Sequence, residues 1–180
     1  MGQVHIVIYI TAMNIPLVVF AAIGTALATT FIPLYHEALE EGGEKRALRF
    51  SNNILSIVSI LSILLAILGY IFAEPLVKLF AMNFTGGKLE LTIYFVRVMI
   101  IGILFIGLSN IMTSYLQIKG DFTIPGMIGF PNNIIIIISI TMSAIMKNID
   151  ILAVGGLLGM VSQFLFQVPF AIKRGYKFKR

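Results

Sequence analysis

The chain has 180 residues, of which 58% are hydrophobic and only 12% charged, with a mean hydropathy of +0.99. This composition excludes an ordinary water-soluble domain and leaves a bundle of membrane helices. Cysteine is absent, which removes disulfides, thiolate chemistry and cysteine-based metal sites; the net charge of +5 collects at helix ends, as topology signals and contacts to membrane lipid head groups rather than to nucleic acid.

Between His5 and His36 run thirty residues without an acidic, basic or histidine side chain. Four further runs follow, Phe50–Ala73, Val98–Ile118, Phe122–Met146 and Ile151–Ile172, each 21 to 25 residues long. A helix rises about 1.5 Å per residue, so roughly 20 apolar residues cross the hydrocarbon. The expected fold is therefore all-α, a single polytopic membrane domain with five spans near 5–35, 48–73, 91–118, 123–146 and 151–172.

The first span is long enough to tilt or kink, with Pro16 near its middle and Pro33 marking its end. It lacks the basic leader of a secretory signal. His36–Arg49 mixes acidic and basic residues around Gly42-Gly43 and reads as a helix end, a turn and a new start. The second span runs from about Arg46 to Glu74-Pro75, and Ala81–Lys88 is an outer loop. The third runs from about Leu91 to Ile118, and Lys119-Gly120-Asp121 is a tight turn. Pro125 and Pro131 punctuate the start of the fourth; Lys147–Asp150 is a short outer turn before the fifth.

Nine basic residues fall on the side of the His36–Arg49 connector, the Lys119 turn and the tail, against four on the other side. The positive-inside rule makes the first group cytoplasmic. The amino terminus then starts outside, which a missing preceding span explains.

Polar and small residues recur at helical spacing. Asn52, Ser56, Ser59 and Ser62 share a face of the second span; Gly102, Ser109, Asn110, Thr113 and Gln117 share one on the third. Asn132, Ser139 and Ser143 align on the fourth; Gly155, Gly159, Ser162 and Gln163 align on the fifth. Helix packing and the lining of a hydrated cavity are both open readings of such stripes. Arg97, near the outer end of the third span, either snorkels to the interface or contacts an anion. His5 and His36 have no second ligand at metal spacing, and Pro131-Asn132-Asn133 either exposes backbone carbonyls and amide groups to a substrate or is a locally adjusted helix start. No catalytic set, metal site, cofactor site or phosphate-cradling glycine loop is expected, so the chain reads as a non-enzyme.

An ordered series of motifs resembles the lipid II flippase family, MurJ/MviN, within a superfamily of drug and lipid-linked-sugar exporters. It begins with Thr29-Thr30-Phe31-Ile32-Pro33-Leu34-Tyr35, the connector, and Arg46-Ala47-Leu48-Arg49-Phe50. Phe72-Ala73-Glu74-Pro75-Leu76-Val77, Phe105-Ile106-Gly107-Leu108-Ser109 and Tyr115-Leu116-Gln117 follow in order. Phe122-Thr123-Ile124-Pro125 with Asn132-Asn133, and Gln163 to Pro169, complete it.

The resemblance implies helices two to six of a fold with about fourteen helices in two lobes around a central cavity, working by alternating access. The implied cargo is lipid-linked peptidoglycan precursor, moved from the inner to the outer leaflet of the bacterial membrane. Its implied partner is the remainder of the transporter. Where family members often carry an Arg after the first proline and a Glu before the glycine, Asn14-Ile15-Pro16 and Ala22-Ile23-Gly24-Thr25 hold only apolar or small residues. No cationic pyrophosphate site carries over. Asn14, Thr25 and Thr29 are the polar positions on the helix expected to face the cavity, and Arg97 and Asn132 complete the candidate cavity residues. The alternatives are a drug/cation antiporter, a flippase for other lipid-linked glycans, or a non-transporting membrane scaffold or split-gene remnant.

Overall fold

The computed structural model describes residues 2–178, the side chains of 2, 3, 21–23, 25 and 28 excepted. The regular structure of the described residues is all helix, without strands. The longest assignment, α1 (Gly2–Ile71), is two helical arms folded against each other at Gly42 (φ −151°) and Gly43 (φ +66°). A left-handed torsion at Gly43 asks for a residue without a Cβ. The expected connector turn thus falls on the glycine pair. The arms lie side by side, since Phe31 stacks on Phe50 and both Phe20 and Val58 meet Gly107.

Pro33 does not end the first arm. Both Pro16 and Pro33 sit within helical backbone, and the helix runs on to the glycines. Residues 36–41 are mostly Glu, Ala and Leu, good helix formers that carry it past the proline.

After α1 come α2 (Ala73–Phe80) and α3 (Gly86–Met99), so the expected outer loop shrinks to 81–85. Pro75 falls in the first turn of α2, where its missing N–H removes nothing. Lys78 donates to Glu74 at 2.6 Å; that hydrogen bond and the ammonium's charge hold Glu74 below the usual carboxylate range. The expected third span is two helices, α3 and α4 (Gly102–Ile118), bent by 44°. At the bend, a Cβ on Gly102 would sit 2.1 Å from the Met160 sulfur, so the glycine admits a neighbouring helix against the backbone. The remaining elements are α5 (Thr123–Gly126), α6 (Gly129–Met146) and α7 (Asp150–Lys173).

Helix α4 packs against α1 and α7, and α6 packs chiefly on α7. One buried cluster runs from Tyr35 and Tyr115 at the connector end to Phe20, Val58 and Ile103 in the middle of the bundle; a second, including Ile15, Phe95, Met99 and Leu152, fills the other part. The outward faces remain apolar: Ile60 is 69% exposed, and Ile57, Ile67, Ile137 and Ile145 are exposed with it. Such surfaces suit lipid rather than water. Among the described residues, Thr29–Ile71 (a range that contains the Gly42-Gly43 turn, its charge-free stretch lying in the second arm), Thr123–Met146 and Asp150–Lys173 are long and apolar enough to cross a membrane, and α3 with α4 makes a fourth if the bent pair counts once. Val4–Phe20 is a shorter apolar helix.

At the connector end three segments are tied together. Both α4 and α7 end in the same glycine-capped motif. Gly120 (φ +78°) and Asp121 donate their N–H groups to Gln117 and Leu116, and Gly175 (φ +95°) and Tyr176 to Ile172 and Ala171. These caps aim Asp121 and the tail at each other, and Arg174 donates to Asp121 at 3.1 Å. Tyr115 packs edge-on against Tyr35 and Tyr176, at 6.0 and 4.8 Å, and its hydroxyl donates to the Arg174 carbonyl. The Tyr176 hydroxyl donates to Asn52, whose amide donates to the Lys177 carbonyl at 2.9 Å. Burial pushes the Tyr176 phenol above its ordinary range.

Lys119 pairs with Glu44 at 2.8 Å. Burial disfavours the Lys119 charge, but the hydrogen bond to Glu44 and the phenols of Tyr35 and Tyr115 outweigh it and raise its pKa. The connector, the Lys119 turn and the tail therefore share one end, as the loop charges led us to expect.

Replacing Gly120 or Gly175 with alanine forces a Cβ into the left-handed region and should lower stability by about 1 kcal/mol each. Gly87→Ala, with open space and no such torsion, should change it little. Thermal unfolding in detergent measures both; equal effects at all three positions would contradict the assignment of these caps.

Candidate functional site

Most polar stripes are consumed by helix packing. Gln167, fully buried on α7, donates to the Ser109 hydroxyl at 2.7 Å and to the Ser109 and Gln163 carbonyls. Its carbonyl accepts from Thr113 at 2.9 Å. Every polar atom of this amide is satisfied, as a low-dielectric interior requires. The Ser109 and Thr113 stripe on α4 is therefore a seam with α7.

On α7, a Cβ at Gly155 would fall 1.9 Å from the Ser139 oxygen, and one at Gly159 would fall 2.5 Å from the Asn132 side-chain oxygen. The small residues let α6 lie directly on α7, the use expected of a small-xxx-small step. Asn132 is thus half-buried in the α6–α7 contact. In the second arm of α1, Ser56 and Ser59 donate to their own helix, Asn52 belongs to the connector-end cluster, and Ser62 is buried beside Gly107 with no hydrogen-bond partner.

The first arm of α1 differs. Its inner face buries Ala12, Ile15 and Phe20, and Gly24 approaches the Asn110 amide of α4. Its outer face leaves Asn14, Leu17, Val18, Thr29 and Thr30 exposed. Asn14 and Thr29 are fifteen residues apart, about 60° around the helix, so they lie on one side. The Thr29 and Thr30 hydroxyls both reach back to the Ala26 carbonyl, at 3.0 and 2.7 Å. Thr25 lies in the same arm, but its side chain falls outside the described residues. Arg97 is exposed on α3, with its guanidinium 5.4 Å from the centre of the Tyr70 ring at the end of the second arm.

Of the five candidate residues, then, Asn14 and Thr29 are exposed on one side of the first arm. Asn132 and Arg97 sit in other neighbourhoods. The sequence reading placed a tight turn at Gly120 but did not single out Gln167, Tyr176 or the cap at Gly175. The signals were an amide inside an apolar run and a Gly just past each of two helix ends.

The family described as the lipid II flippase MurJ matches residues 3–180. A probable lipid II flippase MurJ of Buchnera aphidicola subsp. Acyrthosiphon pisum is 33% identical over 147 residues, covering 79% of this chain and 29% of that protein. A lipid II flippase MurJ of Thermosipho africanus is 30% identical over 156 residues, covering 85% and 31%. A solved structure of a lipid II flippase MurJ in an inward closed conformation superposes with a TM-score of 0.79 at 25% identity, over 98% of this chain and 37% of that one. The chain spans about a third of these relatives' length or less.

Gly155→Val should push α6 off α7 and lower stability by more than about 2 kcal/mol. Gln167→Leu, which removes a satisfied network but keeps its volume, should cost about 1 kcal/mol. Chemical unfolding in detergent micelles ranks the two; the reverse order would contradict the glycine seam.

Proposed function

We propose, for a chain that belongs to the MurJ family of lipid II flippases, that it builds part of one wall of a passage for lipid-linked peptidoglycan precursor. The passage carries the precursor from the inner to the outer leaflet of the bacterial membrane. The family is one of transporters rather than enzymes, and the apolar helices suit a membrane protein.

The observation that carries this reading is the asymmetry of the first arm. One side is buried in the bundle, and the other leaves Asn14 and Thr29 exposed, the Thr29 hydroxyl donating back to the Ala26 carbonyl. In hydrocarbon an exposed amide is costly. A polar cargo, or water accompanying it, gives that face a use. The mechanism follows from charge and solvation. The sugars and pyrophosphate cannot enter the bilayer core, so they move along hydrogen-bonding positions such as Asn14, Thr25 and Thr29, while the lipid tail stays among the acyl chains.

This wall supplies no charge to the pyrophosphate. Around Pro16 and Gly24 there is neither Arg nor Lys. Its contribution is neutral hydrogen bonding and shape, and the cations belong to the rest of the passage. Lobe rocking then needs a wall that moves as one piece, and the glycine seams and the connector-end cluster give it that rigidity.

The test is rescue of bacteria depleted of their own flippase, using this chain with the remaining segments of the Thermosipho africanus relative supplied separately. Growth should be restored, and Asn14→Leu with Thr29→Val should reduce it several-fold while Ile60→Ala leaves it unchanged. Good membrane expression without rescue would overturn the reading.

A further inference from the structure

A second polar feature lies on the other side of the first arm. Between the start of that arm and the facing ends of α6 and α7 is a cavity of about 480 Å³, a size typical of small-ligand sites. Ile140 and Leu152 contribute apolar wall; His5, Tyr9, Ser143 and Lys147 contribute the polar groups. No carboxylate is among the described lining residues. Tyr9 is only 5% exposed, yet its hydroxyl has no hydrogen-bond partner. Its ring lies along α7, 3.2 Å from where a Cβ on Gly156 would stand. Burying an unpaired hydroxyl costs about 1–3 kcal/mol, so this atom lacks the partner that nearly all buried polar groups have.

Lys147 caps α6 in a left-handed conformation (φ +51°), and Ser143 reaches past it to the Asn148 carbonyl at 2.8 Å. The cation is thereby held at the end of a membrane helix, at the level where lipid head groups lie. Asp150, the acidic residue nearest in sequence, lines a separate cavity with Ser139 and Gly155.

From this we infer that the cavity between the start of α1 and the ends of α6 and α7 binds one anionic phospholipid. Lys147 and His5 face its phosphate, the Tyr9 hydroxyl donates to its polar backbone, and Ile140 and Leu152 hold the first part of an acyl chain. A free anion would meet the basic groups and leave the apolar walls unused. A zwitterionic lipid would bring its own cation against Lys147. The charge and the shape together select an anionic amphiphile. The site stands apart from the proposed passage: Asn14 follows Tyr9 by five residues, about 140° around the helix.

Native mass spectrometry of the full 180-residue chain tests this, with phosphatidylglycerol, phosphatidylcholine and inorganic phosphate as the three probes. Phosphatidylglycerol should bind at least about fivefold more tightly than phosphatidylcholine, the effect of one basic residue near a membrane surface, and phosphate should neither bind nor compete. Lys147→Asn keeps a residue suited to the left-handed cap and should abolish the preference. Tyr9→Phe, which keeps the ring, should weaken both lipids alike, since the backbone it contacts is common to them, and leave the preference in place. Ala144→Trp, which fills the cavity, should remove binding of both lipids, with helicity by circular dichroism unchanged in all three variants. The inference is overturned by equal affinity for the two lipids, by displacement with inorganic phosphate, by a dimer in place of the lipid adduct, or by unaltered binding in the variants.

Discussion

The architecture depends on Tyr115 holding Tyr35 on one side and Tyr176 on the other. These rings come from the first arm of α1, the end of α4 and the tail after α7. Each is buried, and polar contacts run outward from them: Lys119 to Glu44, Arg174 to Asp121, Tyr176 to Asn52. In hydrocarbon, apolar side chains gain little by leaving lipid for one another, so a membrane bundle needs other reasons to adopt one arrangement. Here much of the specificity is placed at the bundle's end, where aromatic packing and charge pairing both operate.

Within the bundle a different rule applies. Helices meet where a missing Cβ lets a backbone approach, at Gly102, Gly107, Gly155 and Gly159, and the polar groups at these seams are largely spent on one another. This leaves little polarity for transport. Among the described residues, polar groups away from these seams include the exposed Asn14 and Thr29 on the first arm and those around the cavity of Tyr9 and Lys147. The proposed passage wall and the proposed lipid site both draw on polar groups that lie outside the helix seams.

Much of this was legible in the sequence because its causes are local. Runs without charge mark the membrane helices, Gly42-Gly43 marks the turn within α1, and the basic residues group the connector, the Lys119 turn and the tail at one end. Where the cause is distant, the sequence was silent or misleading. The bend between α3 and α4 is accompanied by Met160 lying on Gly102, two residues with no visible relation along the chain. Pro33 suggested a helix end, yet the helix-forming residues after it carry the arm to Gly42. Asn132 read as a cavity candidate, and its contact with Gly159 depends on how α6 settles on α7. The tyrosine cluster has no motif at all, since its members meet only through tertiary structure.

The account depends most directly on the connector and the Lys119 turn touching at one membrane face. The chain has no cysteine of its own, so Glu44→Cys with Lys119→Cys can be made without background and treated in intact membranes with a short bis-thiol reagent. The account predicts an intramolecular cross-link, formed with both thiols reached by an impermeant label from the same side. Single cysteines that react from opposite sides, with no cross-link in the pair, would contradict it.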